Sequence, residues 1–169
     1  MKESLVMTLI GKDRPGLVQD LSTLIESHGG NWEASRMVQL AGEFAGLLSI
    51  EVATEQADSL EAALAGLDGM SVTVSRGSAE ADDAGVSRLL EVVAQDRPGI
   101  VRQVTAEITA AGVNIEELET EVASAPMSAE LHFKAVARLR ADDAAAFDTL
   151  PERLEALGAE LMVDLKSEP

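Results

Sequence analysis

Apolar and polar positions recur along this chain with two different periods, and the periods predict its elements. Leu5 to Ile10 and Leu89 to Val93 are short apolar runs rich in β-branched residues, as in buried strands. After the first run, Leu17, Val18, Leu21, Leu24 and Ile25 recur at helical spacing; after the second, Ile100, Val101, Val104 and Ile108 do the same. Pro15 and Pro98 suit a first helical position, where a missing N–H costs nothing. Gly29 and Gly112 suit the left-handed residue that closes a helix. Strands are predicted over Trp32 to Leu40 and Phe44 to Val52, around the turn Ala41-Gly42-Glu43. Their counterparts are Ile115 to Ala123 and Leu131 to Leu139, around Pro126. A second helix is predicted over Asp58 to Leu67 and again over Asp142 to Leu157, where Pro151 argues against one straight helix. Val72 and Val74, and later Leu161, Val163 and Leu165, alternate as final strands.

The same order appears twice because the chain is an internal repeat. Gly11-Lys12-Asp13-Arg14-Pro15-Gly16-Leu17-Val18 returns as Ala94-Gln95-Asp96-Arg97-Pro98-Gly99-Ile100-Val101, an offset of 83 residues. The offset also carries Gly29 to Gly112, Asn31 to Asn114, Trp32 to Ile115, Glu33 to Glu116 and Ile50 to Phe133. From Leu67 to Leu157 it has grown to 90, which places a few extra residues of the second copy around Ala137 to Asp143. Residues 78–85 are small and acidic and read as a linker between a first module, 1–77, and a second, 86–169. The order β-α-β-β-α-β is the ferredoxin-like plan of the α+β class. It predicts, twice, a four-stranded antiparallel sheet with two helices on one face.

Composition narrows the function classes. The chain has 169 residues, 46% hydrophobic and 25% charged, as expected of a soluble globular protein of two small modules. No run approaches the ~18 apolar residues of a membrane span, and no basic segment followed by an apolar one opens the chain, so neither a membrane partner nor a secretion signal is expected. With no cysteine, a disulfide scaffold and a thiolate metal site are excluded, and a cytoplasmic location is expected. Thirty acidic and 13 basic residues give a net charge of −17, which duplex DNA would repel. The charge serves solubility first and can also offer an acidic face to a basic protein. One Trp, three Phe and no Tyr make no aromatic platform for nucleic acid.

The candidate binding residues lie in the repeated loop: Gly11, Asp13, Arg14 and Gly16, with Ala94, Asp96, Arg97 and Gly99. A strand-to-helix loop collects unpaired N–H groups and the positive end of the helix dipole, which favours an anion such as a carboxylate. A plain helix start explains the same Pro and Gly. Asn31 and Asn114 offer donors and an acceptor to a zwitterion, and serve equally as turn residues. His28 and His132 stand in unrelated places, so no metal is expected. Asp82-Asp83 and Asp142-Asp143 read as a solvated linker and a helix start. Ser22 and Ser35 have no histidine to activate them, and no P-loop or G-x-G-x-x-G occurs, so neither catalysis nor a cofactor is expected.

A strand, then D-R-P-G opening a helix, then Gly-x-Asn before the next strand, resembles the ACT domain family, and does so twice over nearly the whole chain. A free-standing tandem pair of this length is most similar to its glycine cleavage system transcriptional repressor group. The resemblance implies a non-catalytic cytoplasmic regulator that senses a small amino acid, with glycine the candidate. It further implies action through a transcription-factor partner of the LysR type, and a homodimer is expected. In amino-acid-binding members, the position two before the Pro is often Asn and contacts the effector. Here it is Asp13 and Asp96, which accept from an ammonium but cannot donate to a carboxylate. Asn31 and Asn114 match the family's second contact, and the resemblance implies that one module's loop works with a neighbouring module's Asn. The alternatives are a direct DNA-binding repressor, a regulatory subunit of an amino-acid-metabolising enzyme, or an enzyme of another type.

Overall fold

The computed structural model describes residues 1–77, 85–124 and 131–167. Its contacts divide the chain into two compact units, Met1–Ala81 and Asp82–Pro169, and each is described by itself. The first unit runs β1 (Lys2–Lys12), α1 (Leu17–Ser27), β2 (Asn31–Leu40), β3 (Glu43–Ala53), α2 (Thr54–Ala65) and β4 (Met70–Gly77). The second runs β5 (Val86–Gln95), α3 (Ile100–Ala110), β6 (Asn114–Ser124), β7 (Leu131–Ala141), a 3-10 turn (Ala144–Phe147), α4 (Leu150–Glu155) and β8 (Met162–Ser167). The sheets are antiparallel, with orders β2-β3-β1-β4 and β6-β7-β5-β8. Both units are therefore βαββαβ modules of the expected class. The predicted linker, 78–85, lies outside the described residues except for Gly85, and Pro126 lies wholly outside them.

Alternation along each central strand builds the cores. Leu5, Met7 and Leu9 turn inward from β1 and meet Leu48, Ile50 and Val52 of β3, while Leu21 and Ile25 of α1 and Leu60 and Leu64 of α2 close the layer. In the second module Leu90, Val92 and Ala94 take the inward places, beneath Ile100, Val104 and Ile108 of α3 and Leu150 and Leu154 of α4. Fully burying a Leu or Ile side chain stabilises by roughly 1.5–3 kcal/mol. The buried stripe is narrower than predicted: Val18 and Val101 stand 44% and 41% exposed, about 100° around the helix from Leu17 and Ile100. Where β1 has Leu5, β5 has Arg88, whose guanidinium lies 5.6 Å from the centre of the Phe147 ring.

Sheet register corrects the repeat alignment. Ile50 lies opposite Leu5, whereas Leu139 lies opposite Arg88, which is Leu5 advanced by 83. Ile50 therefore corresponds to Leu139, not Phe133. The six extra residues sit at the β6–β7 hairpin, as one more strand pair and a longer connection, rather than around Ala137 to Asp143. The bulges after Trp32 and Ile115 keep the offset of 83.

The last helix also differs from expectation. Asp142 to Leu157 is not one helix but the 3-10 turn, started by the Asp143 carboxylate accepting from the Ala145 amide (3.0 Å), and then α4. Pro151 in the first turn of α4 has no N–H for the carbonyl four residues back, so one continuous ladder cannot form. In the first module, α2 begins earlier than Asp58, because the Met1 carbonyl accepts from both the Thr54 amide (3.0 Å) and its hydroxyl (3.2 Å).

Candidate functional site

The D-R-P-G loop joins the first strand to the first helix in each module with one backbone geometry. The Asp13 amide donates to the Gly42 carbonyl (3.3 Å) and the Asp96 amide to the Leu131 carbonyl (2.9 Å), tying each loop to the adjacent hairpin. Gly16 (φ 84°, ψ −3°) and Gly99 (φ 85°, ψ 5°) then turn left-handed and cap the helices. Their carbonyls accept from the Asp20 (2.8 Å) and Gln103 (3.1 Å) amides. Pro15 and Pro98 consequently stand one residue before the cap, not at the first helical position. The left-handed turn decides this: an L residue there costs about 1–2 kcal/mol, so glycine takes the cap and proline fixes the chain ahead of it. A Cβ placed on Gly16 or Gly99 would meet nothing within 4 Å, so the space beside both caps is open. Neither helix has a side-chain cap, and in α3 the first amide, that of Ile100, donates to the Arg97 carbonyl (3.3 Å). At the far ends, the Gly29 and Gly112 amides donate to Glu26 and Thr109, and the next residues donate to Ile25 and Ile108, as in a Schellman motif.

The other candidates fall in different places. Asp13, Asp96, Asn31 and Asn114 are exposed. Gly11 is on the core side of β1 under the Gly69–Met70 turn, where a Cβ would strike the Gly69 carbonyl; its glycine serves close packing. Ala94, the equivalent, is buried. Asn31 opens β2 and donates to Glu33 Oε1. Each asparagine follows its helix while the loop precedes it, and an 11-residue helix is roughly 16 Å long. One module therefore cannot bring its loop and its own asparagine to one small ligand.

The two loops differ in what surrounds them. Beside the second lies a cleft of about 260 Å³, walled by Ala94, Arg97 and Ile100 on one side and Gly158, Glu160 and Leu161 on the other. The equivalent space in the first module is about 10 Å³, bounded by Arg14, Leu17, Leu67 and Met70. The cause is the turn before the last strand. Leu67 and Leu157 are equivalent, each packed on its own core, but two residues separate Leu67 from Met70 whereas three, Gly158 to Glu160, separate Leu157 from Leu161. Gly158, in the longer turn, lines the cleft and has no side chain to fill it. Sequence reading missed Gly158 and Glu160. Their only signal was the offset, which grows once more between Leu157 and Leu161.

The loop arginines also differ. Arg14 pairs with Asp20 at 2.7 Å, both half-exposed. The position matching Asp20 is Gln103, and Arg97 has no ion-pair partner among the described residues; its Nη2 donates to the Leu157 carbonyl (3.2 Å). The groups whose proton affinity is raised lie elsewhere on exposed sheet surface: Lys2 by its hydrogen bond to Glu51, Lys166 by Asp164 and then Glu91, and Arg76 by Asp58. His28 Nδ1 donates to the Leu24 carbonyl (2.9 Å) at the end of α1. Among the described residues no three His, Cys, Asp or Glu are placed to hold a metal ion, and no helix is long and apolar enough to cross a membrane.

Residues 3–75 and 88–146 each match the ACT domain family. The chain is 31% identical to the glycine cleavage system transcriptional repressor of Escherichia coli (strain K12), across 92% of this chain and 87% of that protein. The same figures hold for the Shigella flexneri protein of that name. Among solved structures, an unknown protein from Galdieria sulphuraria superposes with a TM-score of 0.83 at 29% identity over the whole of both chains. A structure described as a candidate glycine cleavage system transcriptional repressor gives 0.72 at 20% identity over 99% of both, a likeness of fold.

Proposed function

This chain belongs to the ACT domain family, as two such modules in tandem related to the glycine cleavage system transcriptional repressors, and from that premise we propose that it is a non-catalytic amino-acid sensor regulating glycine cleavage genes. The observation that carries the reading is the D-R-P-G loop, built twice on one backbone around left-handed glycines with open space beside them. First-turn amides suit a carboxylate, and Asp13 or Asp96 suits an ammonium. Asn31 and Asn114 reach such an effector only from a different module.

The output runs through a protein partner, a transcription factor of the LysR type, in the cytoplasm. The net charge of −17 favours a protein partner over duplex DNA. A homodimer is supported by the outer face of the first sheet, where Ile10, Val38 and Leu47 are 48–59% exposed around a shallow depression and Leu40 is 74% exposed on the same face. The corresponding face of the second sheet mixes Glu119, Glu121, Lys134, Arg138 and Lys166 with Val93, Val136 and Met162.

A thermal-shift screen of the full chain against the twenty amino acids tests the reading. At ~100-fold over the dissociation constant, linkage supplies about 2.7 kcal/mol, a rise in Tm of roughly 5–10 °C for a chain of this size. No rise with any of them would remove the sensor and leave a scaffold.

A further inference from the structure

We infer that the amino-acid site lies in the second module alone, in the cleft between its D-R-P-G loop and the α4–β8 turn, with Arg97 holding the ligand carboxylate and Glu160 its ammonium. The inference rests on the proposed sensor role and adds which module binds, through which groups, and how many ligands per chain. Three differences between the modules carry it. A cleft of about 260 Å³ lies beside the second loop, where one more residue separates Leu157 from Leu161 than separates Leu67 from Met70, whereas the space bounded by Arg14, Leu17, Leu67 and Met70 is about 10 Å³. Its cation is available: Arg97 gives one N–H to the Leu157 carbonyl and has no carboxylate partner among the described residues, whereas Arg14 is held by Asp20. A guanidinium has five N–H donors in a planar fork that matches a carboxylate. Finally, the opposite wall supplies an anion, the exposed Glu160, where the first module has Gly69.

A cation and an anion facing across a small cleft suit a zwitterion. Ala94, Ile100 and Leu161, all buried, form an apolar floor for a short side chain. The volume is just under the roughly 300–1,000 Å³ of pockets for drug-sized ligands, which favours a small amino acid.

Calorimetric titration of the full chain with each of the twenty amino acids tests this. The acid and amine halves of any that bind serve as controls (acetate and methylamine for glycine). One ligand per chain is expected, with each half binding at least about tenfold more weakly, since charge-assisted hydrogen bonds are lost. Arg97→Gln and Glu160→Gln should each weaken binding about tenfold or more, and Arg14→Gln should leave it unchanged. Gly158→Leu should abolish it without unfolding the chain, since a Cβ there meets nothing within 4 Å. Two ligands per chain, or binding that Arg14→Gln weakens and Arg97→Gln does not, overturns the one-site inference and leaves the sensor standing. Absence of binding by every amino acid overturns both.

Discussion

Replacing Gly16 by Ala isolates the cost of the loop's backbone from every contact. At φ 84° an L residue is strained by about 1–2 kcal/mol. The same change stiffens the unfolded chain and returns about 0.4–1 kcal/mol. No steric term enters, because nothing lies within 4 Å of the new Cβ. The net destabilisation is therefore about 1 kcal/mol. Trp32, the only tryptophan, is partly buried against the first module's core, so its fluorescence reports that module's unfolding. With a urea m-value of about 1 kcal/mol/M for so small a module, the midpoint should fall by roughly 1 M. Gly16→Asn should lower it by less than half as much, because Asn tolerates the left-handed region. An unchanged midpoint in Gly16→Ala, or an equal fall in both variants, would refute the argument from backbone conformation.

Two further outcomes follow from the surfaces. Ile10→Glu with Val38→Glu puts two charges into the apolar outer face of the first sheet, and sedimentation should show a dimer becoming monomer; a wild-type chain already monomeric at high micromolar concentration contradicts the dimer. In a gel shift at physiological salt the purified chain should leave promoter DNA unretarded, and retardation without any other protein would favour the direct repressor instead.

Much of the fold was legible because the informative residues are punctuation. D-R-P-G and Gly-x-Asn mark where strands and helices meet, and they recur at a fixed offset of 83. The β6–β7 insertion was not legible, for a reason of period. Phe133, Ala135, Ala137, Leu139 and Ala141 all face inward, so an even slip of six leaves the hydrophobic match intact. Only strand pairing distinguishes Leu139 from Phe133 as the partner of Ile50. Pro15 was misplaced because the left-handed conformation of Gly16 is a property of φ, and a Pro-Gly pair fits either position. The cleft depended on one added residue near Gly158, which composition does not register.

The most direct test of an amino-acid site at these loops is an amide-resolved NMR titration of the full chain with the amino acid that raises Tm most. The largest shifts are expected at Arg97, Gly99, Ile100 and Gly158, with none at Gly16. Shifts confined to the outer sheet face, around Ile10 and Val38, or no shifts at saturating ligand, would contradict it.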